Sequence, residues 1–154
     1  MKKQFINIFQ YENWANKVIT DSLLKINEPP EKIMMLMSHI INAQILWLER
    51  IKKVPQSVGV WHVYSKSELN EALDRSASSL IEFLNRISEN NIEDLVEYTN
   101  TKSEIFNSTV RDILTHLSHH SSYHRGQTIL LMKPLVSDLP YTDYIHFARN
   151  IRNS

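Results

Sequence analysis

Four of the seven histidines in this chain fall within nine residues, at His116, His119, His120 and His124 in the run HLSHHSSYHRGQ. Imidazole is a mediocre helix former and a poor core filler, so packing gives no reason for such a cluster. Metal chemistry does, because neutral imidazole is the commonest side-chain ligand of zinc, nickel and copper. Two histidines four residues apart on a helix stand one turn above each other and can grip one ion. A third histidine from elsewhere would leave one coordination position open, the arrangement of a catalytic rather than a structural site. An ion held in this way lowers the pKa of bound water or activates another nucleophile, such as a thiol.

At about 100° per residue, Ile113, Leu117, His120, His124 and Leu131 share one sector of a helix, with His116 at its edge and His119 well away. That favours the 120/124 pair over the equally spaced 116/120 pair. His39, in MLMSHIINAQILWLERI, shares a stripe with Leu36, Ala43 and Leu46, with Trp47 at the margin. A histidine facing a core is costly unless something satisfies it. Alone, His39 reads more often as a hydrogen-bonded core histidine than as a ligand, and H-x-x-x-H recurs by chance. Helix, core face and a third histidine together shift the reading to a metal site made by His39, His120 and His124. His116 is expected at its rim in a structural role, and His62, His119 and His146 at the surface or boundary. Gly126 inside the same helix costs about 1 kcal/mol relative to Ala and is expected to mark close helix packing beside the site.

The elements that must position these residues are helical. Apolar residues recur at spacings of three and four from Phe5 to Leu24, predicting a helix over 4–26 that Pro29 and Pro30 stop. A second helix is expected over 31–53, ended by Pro55. A third, over 67–89, carries Leu69, Leu73, Leu80, Ile81, Leu84 and Ile87, with Ser65 or Ser67 as its cap. A fourth starts at Ser108 or Thr109 and runs to Lys133 before Pro134. Alternation in LVEYTNTKSEIF, with Asn100-Thr-Lys-Ser as a polar tip, predicts a short hairpin near 93–107. The tail DLPYTDYIHFARN reads as a turn and a short fifth helix. The fold class is therefore all-α: a four-helix bundle whose longer joins leave room for crossovers.

Composition narrows the function classes. At 154 residues, one domain spanning 1–154 is expected, and two glycines in the whole chain disfavour a turn-rich β architecture. Lys plus Arg and Asp plus Glu both number 17, which argues against bulk attraction to nucleic acid or to an anionic membrane. Without cysteine there is no disulfide, no zinc–thiolate cage and no cysteine nucleophile, so thiol chemistry would need an external thiol. The opening MKKQFINIFQYENW lacks an apolar h-region, and the longest apolar runs are far short of a membrane span. The expectation is a soluble cytoplasmic protein. No Glu-x-x-His or H-E-x-x-H occurs, nor a G-x-S-x-G elbow, Walker loop or Rossmann fingerprint.

YENWANKVI, HIINAQILWLERI, DILTHLSHHSSYHRGQTILLM and the closing LPYTDYIHFAR together resemble the DinB/YfiT-like family, the damage-inducible metal-dependent family rather than the polymerase that shares the name. The resemblance implies a four-helix bundle holding one divalent metal, usually zinc or nickel, through three histidines. Carried onto this chain, they are His39, His120 and His124, the trio that helical geometry selects. It further implies a homodimer and a small-molecule substrate. Relatives include bacillithiol-dependent S-transferases and a mycothiol-dependent maleylpyruvate isomerase. In such an enzyme the reacting group is a metal-bound thiolate or water, so a low-molecular-weight thiol joins the metal as an expected cofactor and detoxification or stress response is the expected setting. Arg50, Arg111 and Arg125 are candidates to meet a carboxylate-rich cofactor, Asn42 and Tyr11 are candidate polar neighbours, and the roles of Arg125 and Gln127 stay open. The competing expectation is a non-catalytic, metal-stabilised bundle that binds a small ligand or a protein partner, since no obvious general acid or base accompanies the histidines.

Overall fold

The computed structural model describes residues 1–100, 102–150 and 152. Its four long helices are α1 (Lys2–Leu23), α2 (Glu31–Lys52), α3 (Leu69–Arg86) and α4 (Val110–Met132). A 3-10 turn (Asn90–Glu93) and a hairpin of β1 (Leu95–Thr99) and β2 (Ile105–Thr109) lie between α3 and α4, and α5 (Tyr144–Asn150) closes the chain. The mainly helical architecture with a short hairpin is the expected one. Thr101, in the expected hairpin tip, lies outside the described residues.

Local chemistry sets the boundaries. α2 ends where Lys53 turns left-handed at φ 55°, with Val54 N–H donating to the Glu49 carbonyl (3.1 Å) and Lys53 N–H to that of Arg50 (3.1 Å). This is a Schellman closure, made by a lysine where glycine is usual. α3 is shorter than expected. Ser65 carries the start signal, its N–H donating to the Glu68 carboxylate (2.9 Å), and the C-terminal end gives way to the 3-10 turn. Thr109 ends β2 and caps α4, its Oγ1 accepting from Asp112 N–H at 3.0 Å. The hairpin pairs Leu95 with Thr109 and Thr99 with Ile105, and Asn100 Oδ1 accepts from the N–H groups of Lys102 and Glu104 in its tip.

α1 packs against α3 and α4, and α2 packs against the same two, so helices consecutive in sequence stand diagonally: α1 from α2, and α3 from α4. The diagonal steps fall on the short link 24–30 and on the segment carrying the hairpin. The sequence pointed to the two longer joins; the one carrying the hairpin takes a diagonal step as expected, and the other does not. The connection 53–68 links neighbours and is free to fold back over the bundle.

The core has two apolar clusters, one around Phe9, Leu48, Leu84, Val96 and Leu117, the other around Ile19, Met37, Ile41, Leu73 and Met132. Between them runs a buried polar belt: Glu12 and Asn16 of α1, Gln44 of α2, Ser76 of α3, and Ser121 and Arg125 of α4. Arg125 ion-pairs with Glu12 and donates to Ser121 Oγ (2.7 Å) and Asn16 Oδ1 (3.2 Å), while Ser76 donates to Gln44 Oε1 (3.0 Å). Charges in a core are tolerated only when paired and hydrogen-bonded in this way.

Candidate metal centre

The stacking of α2 against α4 brings His39 to His120 and His124. Ring centroids lie 4.8 Å apart for His39–His120, 4.9 Å for His39–His124 and 4.4 Å for His120–His124. One donor nitrogen from each falls within 4.8 Å of the others. The closest approach, His39 Nε2 to His120 Nε2, is 3.0 Å. Two nitrogens held about 2.0–2.1 Å from one tetrahedral ion stand roughly 3.3 Å apart, so the spacing is close to that of a ligand pair. His39 is buried among Leu36, Ala43 and Leu46, whereas His120 and His124 are half-buried. The latter two flank the buried stripe of α4 instead of centring it. That stripe runs through Ile113, Leu117, Ser121, Arg125 and Thr128. Leu131, grouped with the histidines by periodicity, is 39% exposed. The rotation follows from Glu12, whose charge draws Arg125 inward.

Two of the three rings are fixed from behind. His39 Nδ1–H donates to the Val60 carbonyl (3.1 Å), which can only accept, so its Nε2 carries the lone pair. His124 Nδ1 meets Gln127 Oε1 at 2.8 Å, leaving its Nε2 free to ligate. Ligating histidines are characteristically oriented in this way, through the nitrogen that does not bind the ion. With the lone pair on His39 Nε2, His120 Nε2–H is the donor of the contact between them. Moving that proton to Nδ1 of His120 frees both lone pairs. The donor set therefore fits a divalent ion.

The loop 53–68 forms one wall. Trp61 lies flat on His39, with centroids 4.0 Å apart and planes 12° apart, yet it is 58% exposed. Asn42 Nδ2 donates to the carbonyl of His62 (2.7 Å), and Ser38 Oγ accepts from Tyr64 N–H (3.0 Å). Ser38, His39 and Asn42 thus hold residues 60–64 across the site. Val60 and Trp61 escaped the sequence reading. Their only signal is the apolar run 58–64 in a connection between helices.

Burial keeps His120 uncharged. It pulls the pKa of His120 down to about 3, and the rings of His124, His39 and His116 add to the effect. Burial also lowers those of His39 and His116, the Val60 carbonyl opposing it at His39. Neutral imidazole is the form that binds metal.

The other singled-out residues sort cleanly. His116 sits at the rim, its ring 5.4 Å from that of His120 and 5.5 Å from that of Trp47. His119 is exposed, His62 packs on Tyr64, and His146 stacks on Trp14. Asn42 borders the site through the loop, whereas Tyr11 is engaged elsewhere, donating to the Thr142 carbonyl (2.9 Å) and accepting from Arg125 (3.2 Å). Arg125 is structural. Gly126 corrects the expectation of close packing: it is exposed, and a Cβ there would meet nothing within 4 Å. No helix among the described residues is long and apolar enough to cross a membrane.

The model of the DinB family matches residues 1–152. No curated protein and no solved structure matches the chain.

Proposed function

The chain belongs to the DinB family, and from that premise we propose that His39, His120 and His124 hold one divalent ion, zinc or nickel, at the centre of a thiol-dependent S-transferase. The observation that carries the reading is the convergence of three imidazoles, two of them oriented through Nδ1 by Val60 and Gln127. A divalent ion at this position would lower the pKa of a thiol, so that thiolate would be present at neutral pH. The thiol would release its proton to solvent, the sulfur's electron pair would bond to the electrophilic carbon, and the leaving group would depart with its bonding pair. The chain's own part is to bind and orient. Trp61 and Trp47 offer flat apolar walls, the buried stripe behind His39 limits water, and Asn42 holds the loop closed over α2.

The absence of cysteine means the thiol is supplied from outside, a low-molecular-weight thiol of the bacillithiol kind. Detoxification of electrophiles in the cytoplasm, by a homodimer, completes the proposal. Elemental analysis of tag-free protein tests it first: one zinc or nickel per chain in the wild type, lost in His124→Ala. A screen of bacillithiol, glutathione and coenzyme A against alkylating agents follows, with turnover that chelation removes as the supporting result. One observation favours the alternative of a non-catalytic metal-stabilised bundle. Among the described residues, no carboxylate, lysine or hydroxyl makes a hydrogen bond to the three rings. Intact metal with no turnover in the screen would establish that alternative.

A further inference from the structure

Of the three arginines that could meet an anionic ligand, two are already paired. Arg125 is tied to Glu12, and Arg111 to Glu93 (3.2 Å) and Asp112 (3.7 Å). Arg50 has no carboxylate within ion-pair distance among the described residues. Its guanidinium carbon lies instead 4.4 Å from the centroid of the Trp47 ring and 5.4 Å from that of Tyr98. Burial against these rings pulls its pKa below that of a free guanidinium, with Tyr98 opposing. A cation deprived of water and lacking a counter-ion gains most from an arriving anion.

The space beside it can admit one. Arg50 and Lys53 line a cleft of about 440 Å³ that Val60, Glu97 and Tyr98 help to close. Val60 is also the residue whose carbonyl orients His39, so cleft and histidine cluster share a wall. Along the other side the rings make a continuous path. His120 contacts His116, His116 contacts Trp47, and Trp47 carries Arg50. The eight residues from His39 to Trp47 amount to about 12 Å of helix rise.

We infer that Arg50 is the anion-recognition residue of this site and binds a carboxylate at the far end of a ligand whose other end meets His39, His120 and His124. The inference rests on the metal reading of those histidines. The planar fork of a guanidinium matches a carboxylate with two parallel hydrogen bonds, and the single acidic side chain in the cleft, Glu97, disfavours a more highly charged group.

The test uses cobalt(II)-loaded protein titrated with mercaptohexanoate and with mercaptohexanol, followed by the thiolate-to-cobalt charge-transfer band. The two probes have the same length and differ in the carboxylate. Wild type binds the carboxylate probe at least about tenfold more tightly, the scale of one charge-assisted hydrogen bond. Arg50→Gln removes that preference and leaves the affinity for mercaptohexanol unchanged, whereas Arg50→Lys, which keeps the charge, retains part of it. Equal affinities in the wild type overturn the inference, as does a preference that survives Arg50→Gln or a loss of affinity for both probes. In each of these cases cobalt bound through the histidines leaves the metal reading standing. Cobalt that does not bind, or binds equally to His120→Ala, overturns the metal reading and this inference with it.

Discussion

Replacing Glu12 by Gln strands a guanidinium in the middle of the bundle. Glu12 is fully buried and Arg125 is 2% exposed, so water cannot take over the lost charge. Arginine cannot shed its proton to escape, whereas a carboxylate left alone can be neutralised by one. Breaking a buried ion pair from one side costs about 3–5 kcal/mol. In a chain of this size each kcal/mol moves Tm by about 2–4 °C, so Glu12→Gln should lower Tm by about 6–20 °C. The hydrogen bonds of Arg125 to Ser121 and Asn16 survive and place the loss at the lower end of the range. Arg125→Met removes the cation instead and should cost less. The double variant should recover much of the loss, because it leaves no unpaired charge in the core. Urea unfolding of the four proteins gives the coupling energy, expected at about 2 kcal/mol or more. Additive losses, or a Glu12→Gln cost under about 1 kcal/mol, the scale of an exposed pair, would refute the reading of the belt as a charge-paired core.

Gly126→Ala should raise stability by about 0.5–1 kcal/mol, since the added Cβ meets no neighbour and the helix gains propensity; a lower Tm would reveal a contact across that face. Gln127→Ala should weaken metal binding about 10- to 100-fold without unfolding the bundle, by releasing Nδ1 of His124. Competition with a chromophoric chelator measures it, and an unchanged Kd would remove Gln127 from the site. Acid should destabilise the metal-free protein earlier than carboxylate titration alone predicts. The unfolded chain takes up protons on histidine near pH 6.5, whereas folded His120 stays neutral down to about 3, so stability is complete above that upper value and declines as pH falls towards the lower one. His39 and His116, also lowered, act with the same sign. His120→Gln should flatten the decline between those values, and an unaltered pH profile would show that the ring is not buried as described.

The helices and the histidine trio were legible because each depends on short-range regularity. Spacings of three and four, two prolines after α1 and one after α2 carry the bundle, and the i, i+4 relation carries His120 and His124. The polar belt was not legible. Periodicity places Glu12, Asn16 and Arg125 on helices but cannot say that the first and last meet across 113 positions of sequence. Only that meeting turns α4 so that Arg125 faces inward and His120 and His124 move to the edge of the core. The same long-range pairing sorts the arginines. In the sequence Arg50, Arg111 and Arg125 are equivalent cations; in the fold Glu12 claims one and Glu93 another, and the third rests on two aromatic rings with no carboxylate within ion-pair distance among the described residues. The consequence reaches the site itself. A bundle centred on its histidines would have sealed all three in the core, whereas the inward turn of Arg125 leaves His120 and His124 half-buried at its edge. The partial exposure of His120 and His124 thus follows from the ion pair on the opposite flank of α4.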